Sequence, residues 1–297
     1  MTTGFDANDV IEPKAVVEGT KDARLAWFPR TGTMYAGLAM IVFAVLTSIL
    51  APILAPSSDT NVDPKRAYLP PFSPGHVLGT DQVGRDMVVR IALGLQTSFA
   101  IGITVIVIAI AVGFLVGLLS GYFGGALDTV LMRLTDIQMA LPFIVLAVAV
   151  LSVSEPSFWS LTAVLTLAMW PTYARVVRSA TQLETSADYV RASVVMGATP
   201  GRIIRRYLLR SNLSTVLVLA FLDIAAVIVY ESTLGFLGIG APPDMPSLGS
   251  LMADGKQYIL VYWWITVLPG VALILTTVGL SLAGIALRNR AKTRGLA

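Results

Sequence analysis

Few residues of this chain have the types and spacing that catalysis needs. His76 is the only histidine and cysteine is absent, so no HExxH motif, paired-histidine metal site or thiolate centre exists, which argues against a metalloenzyme. His76 lies in a Pro/Gly-rich run, PPFSPGHVLG, and reads as a loop residue rather than the base of a serine hydrolase. GTDQVGRD spaces Gly79 and Gly84 as a phosphate loop would. Arg85 and Asp86, however, stand where a lysine and a serine or threonine would hold phosphate and magnesium. An intramembrane aspartyl protease needs two facing carboxylates, and the apolar runs offer only Asp223. No catalytic residue, metal site or cofactor site emerges. The chain is expected to move or hold something, with no ATPase of its own.

The elements that carry these residues are apolar. Of 297 residues 55% are hydrophobic and 13% charged, with a mean hydropathy of +0.76, and that much apolar surface cannot be hidden inside one soluble domain. A spanning helix needs roughly 20 apolar residues. Uncharged windows run from Met34 to Ala55, between Arg90 and Asp128, over Ile137 to Ser154, Pro156 to Ala174, and Gln257 to Leu287. Ser211 to Tyr230 adds one interrupted by Asp223, and Glu155 marks a hairpin between the third and fourth. The expectation is an all-α integral membrane protein of six transmembrane helices, since continuous apolar runs without period-two alternation exclude a barrel.

Six spans put both termini on one side. Of the 21 Lys and Arg, 16 fall before the first span, between spans two and three, between Arg175 and Arg210, or after Leu287. The positive-inside bias makes that side cytoplasmic and the first span an uncleaved anchor.

Five arginines, Arg191, Arg202, Arg205, Arg206 and Arg210, crowd the stretch YVRASVVMGATPGRIIRRYLLRSN. Thr185 with Asp188 three residues on reads as a helix start, and Gly197 as its left-handed end. Thr199 and Pro200 then open a second helix that runs into the fifth span. On the first helix Tyr189, Ala192, Ser193 and Met196 share a face beside Arg191. That face either lies on the membrane with its arginines on lipid phosphates, or meets a partner that has a groove. A DNA-binding helix-turn-helix is disfavoured by the tether to two spans.

YVRASVVMGA with RIIRRYLL resembles the cytoplasmic loop of bacterial ABC importer permeases, with Arg191-Ala192-Ser193 at the family's first triplet and Gly197 at its glycine. LGTDQVGRDMVVRIALGLQTS and YESTLGFLGIGAPPDMPSLGSLMADG resemble two further blocks of the same branch, so the similarity runs from about Leu78 to Leu287. It points to the second permease subunit of dipeptide, oligopeptide and nickel importers. The resemblance implies a coupling helix between helices 4 and 5, with Tyr189, Arg191, Ala192, Ser193, Met196, Gly197 and Arg202 meeting an ATPase. It also implies a second homologous permease, two cytoplasmic ATPase subunits that bind ATP and magnesium, and an external substrate-binding protein, in a bacterial plasma membrane. The corresponding layout is a polar cytoplasmic tail over 1–33, a first transmembrane helix over 34–55, and an external loop and interfacial segment over 56–97. A five-helix permease core over 98–287 holds the coupling loop at about 181–206, and a basic tail occupies 288–297. Two departures stand out. Arg210-Ser211 replaces the usual Leu-Pro-Asn, so the helix should enter span five without a proline break, and LAGIALRN replaces the usual C-terminal pattern.

Gly113, Gly117, Gly121 and Gly125 recur every fourth residue and are expected to let another helix approach closely. Asp223, where the family is usually small or apolar, either faces a wet translocation path or bonds a neighbouring span. Glu231 matches a family glutamate expected at the outer mouth or the permease interface, unless it is an ordinary solvated carboxylate. Short peptides are the expected cargo, with nickel chelates or other small solutes open. The alternatives from other classes are a stand-alone transporter or channel built on Asp223, and a membrane scaffold.

Overall fold

The computed structural model describes residues 30–54, 62–242 and 244–293; most of the expected N-terminal tail and the last four residues lie outside these. It is all-helical. Its helices are α1 (Arg30–Leu54), α2 (Met87–Phe123), α3 (Gly125–Ala140), α4 (Phe143–Leu151), α5 (Phe158–Thr185), α6 (Asp188–Val195), α7 (Pro200–Ile203), α8 (Leu209–Phe236), α9 (Leu248–Gly255) and α10 (Trp264–Thr293). A π-helical segment, Ile204–Leu208, joins α7 to α8. Among the described residues four helices, α1, α2, α8 and α10, are long and apolar enough to cross a membrane, or up to five spans if the bent pair α3–α4 counts as one.

Local sequence explains the boundaries. Asp86 caps α2, its carboxylate accepting from Val88 N at 2.8 Å and from Val89 N, and Gly124 at φ +63° ends it. Ser157 opens α5 and Ser247 opens α9 in reciprocal capping boxes with Ser160 and Ser250. The third span expected over Ile137 to Ser154 is not one continuous helix: α3 and α4 meet at 84°. Pro142 is the cause, because it lacks a donor and pushes Leu141 into extended backbone (φ −85°, ψ 127°). The last helix starts at Trp264 rather than at Gln257, since Lys256–Tyr258 form a 3₁₀ turn instead.

The centre of the bundle is the contact of α2 with α5. A Cβ on Gly113 would lie 2.6 Å from Trp170 O and from Tyr173 Cβ, and one on Gly121 would lie 2.8 Å from Arg178 O; Gly117 faces Ala174 O more closely still. The two backbones touch with no side chain between them. Gly125 breaks the series, because the chain turns at Gly124 and Gly125 begins α3 at φ +59° in open space. Beyond the glycines, Arg178 holds Asp128 through two contacts of 2.5 and 2.6 Å, and Ser120 hydrogen-bonds the same carboxylate.

One end of the bundle carries a cap built from residues 62–86. Val83 N and Arg85 N donate to Asp81 Oδ1 at 3.0 and 2.8 Å, and the amides of Gly79, Thr80, Asp81 and Gly84 donate to backbone carbonyls, so these amides of GTDQVGRD are taken up within the cap. Trp264 Nε1 donates to Thr80 O at 3.1 Å, Gln82 Nε2 donates to Asp254 O at 2.7 Å, and Tyr68 stacks on Tyr262 at 4.1 Å. The cap is thereby fixed to α9 and α10.

Gly117→Val should drive α2 off α5 and cost roughly 1–3 kcal/mol, lowering the melting temperature in detergent by several degrees, whereas Gly201→Ala, with open space around it, should leave it unchanged. Thermal unfolding followed by intrinsic fluorescence checks both.

Candidate functional site

At the opposite end of the bundle, beyond α5, α6, a turn at Gly197 and α7 follow one another as the expected helix, turn and helix. The start lies slightly later than the sequence indicated. Thr185 ends α5, its hydroxyl donating to Gln182 O at 3.0 Å, and α6 opens at Asp188 behind Ala187 with no side-chain cap. Gly197 does adopt the left-handed conformation at φ +83°. Ala198 N donates to Ser193 O and Gly197 N to Val194 O, at 3.0 and 2.9 Å, which closes α6 in a Schellman turn. Thr199 and Pro200 then start α7.

Two faces of α6 differ sharply. Val190 and Ser193 are buried, Ser193 Oγ donates to Tyr189 O at 2.8 Å and meets the Tyr207 hydroxyl at 3.1 Å, and the Tyr189 and Tyr207 rings lie 5.6 Å apart. The opposite face is open: Val195 is 88% exposed, Met196 80% and Val194 55%. Arg191, Ala192 and Arg202 are exposed beside it. The single face expected for Tyr189, Ala192, Ser193 and Met196 is therefore divided. Ser193 turns inward to Tyr207, and Val194 and Val195, which the spacing did not single out, join the exposed patch.

The loop is fixed at its base as well. Asn212 Nδ2 donates to Thr181 Oγ1 at 2.9 Å and Ser211 Oγ to Glu184 Oε2 at 3.1 Å, so the end of α5 and the start of α8 are joined side by side. No proline interrupts the entry into α8. The π segment occupies that place instead, a feature with no signal in the sequence.

Asp223 lies half-buried in the middle of α8 and faces Tyr173 of α5. Neither Asp223 Oδ2 nor the fully buried Tyr173 hydroxyl has a well-formed hydrogen bond among the described residues. Glu231 is 0% exposed, which places it away from any mouth or subunit surface. It is instead a knot between helices, with Ser98 of α2 donating to it at 2.8 Å and Ser232 at 3.3 Å. Burial leaves no room for a solvated reading. No group of three or more metal-ligating side chains occurs among the described residues.

Residues 113–293 match the family model described as "Binding-protein-dependent transport system inner membrane component". The chain belongs to this family. It is 35% identical over 268 residues to the dipeptide transport system permease protein DppC of Haemophilus influenzae, covering 89% of this chain and 91% of that one. It is equally similar, at 35% over 268 residues, to the probable D,D-dipeptide transport system permease protein DdpC of Escherichia coli, with 90% of each chain covered. A putative peptide transport system permease protein of Brucella suis is 36% identical over 253 residues, 85% of each chain. Among solved structures, the inward-facing MetNI methionine ABC transporter has a similar fold, with a TM-score of 0.58 at 23% identity over 71% of this chain and 98% of that one. The family match begins within α2, so α1 and the cap lie outside it, although the peptide permease relatives cover most of the chain.

Tyr207→Ala removes the ring and hydroxyl that hold α6 inward. Ring pairs of this kind contribute roughly 0.5–1.5 kcal/mol, so limited proteolysis within 186–199 should accelerate about three- to tenfold.

Proposed function

We propose that this chain is one of two permease subunits of an ATP-driven importer of short peptides in a bacterial plasma membrane. The open apolar face of α6 carries the reading. Val194, Val195 and Met196 stand on a short helix closed by a Schellman turn and braced by Tyr207. A rigid helix seated in a groove of an ATPase passes a rigid-body motion into α5 and α8, which a floppy loop would dissipate. Two ATPase subunits bind ATP and magnesium; this chain supplies no catalytic group. A second, homologous permease completes the pore, and an external binding protein delivers the cargo. Peptides are favoured because the relatives named above include dipeptide and peptide permeases.

In this reading six segments cross: α1, α2, the bent pair α3–α4, α5, α8 and α10. α5 is more polar than the others, but its 28 residues rise about 42 Å and it is sheltered along α2. The excess of basic residues places α6, α7 and both termini in the cytoplasm, and the 62–86 cap outside. Asp223 with Tyr173 then lies at mid-depth, where a carboxylate whose Oδ2 has no hydrogen-bond partner among the described residues suits a wet path for a peptide ammonium. The same pair is what a stand-alone proton- or cation-coupled carrier would use.

The C-terminally tagged chain, purified in mild detergent, should bring down two ATPases and a second permease, and Val195→Asp should abolish ATPase recovery while retaining the permease. A lone chain that transports in liposomes without ATP would favour the carrier. Asp223→Asn should lower peptide uptake at least several-fold with the assembly intact; loss of assembly would make Asp223 a packing residue.

A further inference from the structure

The hydroxyls of Thr162, Thr166 and Tyr173 on α5 and the Oδ2 atom of Asp223 on α8 are buried with no hydrogen-bond partner among the described residues. Thr162 is 1% exposed, Thr166 8% and Tyr173 0%, so bulk solvent does not reach them. A helical threonine commonly donates to the carbonyl four residues back, as Thr233 and Thr276 do here at 2.8 Å. Thr162 and Thr166 forgo that bond. A buried polar atom left unbonded is costly, and a group of them in one part of the core calls for a common partner.

Helix geometry puts these atoms together. Residues 162, 166 and 173 fall within an arc of about 40° around α5. Within that stripe Tyr173 packs against Gly113 of α2 and directs its hydroxyl toward Asp223 of α8, so the stripe follows the seam where α5 meets both helices. On α8, Val216, Ala220 and Val227 share the face of Asp223, and all three belong to the same buried core as Leu165 and Tyr173. Thr162 and Thr166 are about 6 Å apart along the axis, a gap that one water bridges with a hydrogen bond of about 2.8 Å on either side. Tyr173 lies about 10 Å further on, but a helical aromatic side chain leans back over the preceding turns. Its hydroxyl is thereby brought within one more water of Thr166.

We propose that a short file of bound waters occupies this seam, linking the hydroxyls of Thr162, Thr166 and Tyr173 to Asp223 Oδ2. Water is the ligand whose chemistry matches: it donates to a carboxylate, both donates to and accepts from a hydroxyl, and is held by roughly two to four polar neighbours. α5 runs parallel to α2, Gly113 meeting Tyr173 and Gly121 meeting Thr181. Thr162 therefore lies toward the cap, and the file leads from that end to Asp223. The carboxylate is hydrated within a single chain, whatever cargo is carried and whichever partner drives it, so the file stands or falls separately from the proposed function.

X-ray footprinting of the full chain in lipid nanodiscs tests this, because radiolysis of a bound water oxidises the side chains beside it even where bulk solvent is excluded. Tyr173, at 0% exposure, should be hydroxylated about fivefold faster than Phe114, 8% exposed in the same core, once each rate is corrected for the reactivity of its ring. Thr166→Val, which keeps the shape and removes the hydroxyl, should bring Tyr173 down to the rate of Phe114, and Thr166→Ser should retain the wild-type rate. Thermal unfolding supplies an independent sign. A hydroxyl bonded to water makes Thr162→Val and Thr166→Val lower the melting temperature, whereas an unsatisfied buried hydroxyl makes both substitutions neutral or stabilising. Tyr173 labelling equal to that of Phe114 in the wild type, or unchanged in both valine variants, overturns the file. A melting temperature that rises in both variants does so too.

Discussion

The architecture depends on one constraint: α2 and α5 meet backbone to backbone. In a bilayer there is little hydrophobic drive between helices, since lipid tails are as apolar as the side chains, so close packing must supply the attraction. Gly113, Gly117 and Gly121 make that packing possible by leaving Trp170, Ala174 and Arg178 in direct contact with α2. At 37 residues α2 is the longest of the described helices, and it runs from the 62–86 cap to the end of the bundle that carries α6. Its Asp86-capped start supports the cap. Near its far end, Ser120 and the Asp128–Arg178 pair steady α5 just before α5 leads into α6.

The two acids of α8, Asp223 and Glu231, sit in different surroundings, and each keeps one carboxylate oxygen without a hydrogen-bond partner among the described residues. Glu231 accepts from serines of α2 and α8 in a fully enclosed site, and Gly249 of α9 presses on the Ser232 backbone beside it. It acts as a rivet between three elements. Asp223 faces the phenol of Tyr173, and its Oδ2 has no hydrogen-bond partner among the described residues.

Much of this was legible in the sequence. Apolar runs located α1, α2, α8 and α10 because lipid demands continuous hydrophobic length, and Gly197 disclosed the end of α6 because few other residues accept positive φ. The three glycines on α2 disclosed a close approach, but not that α5 would be the partner. What was hidden depends on distance and direction. Glu231 looks the same in sequence whether solvated or enclosed. Tyr173 lies 50 positions before Asp223 and gives no local sign of facing it. Pro142 carried a local warning, yet a proline within an apolar run can also sit in a kinked but continuous span, so the 84° turn required the structure. Ser193 left its expected face because Tyr207, on another element, offered it a hydroxyl.

The π segment alters how the arginine-rich loop and α8 are to be aligned. Each residue of an ordinary helix advances about 100° around the axis, and a π turn accommodates an extra residue before the next hydrogen bond closes. Ile203 and Leu208, five positions apart, both point into the core. A helical wheel drawn continuously from Pro200 into α8 therefore assigns the wrong side to everything beyond Leu208, by about a quarter turn. Substitution scans of Arg205, Arg206 and Arg210 interpreted on such a wheel would group side chains that do not share a surface.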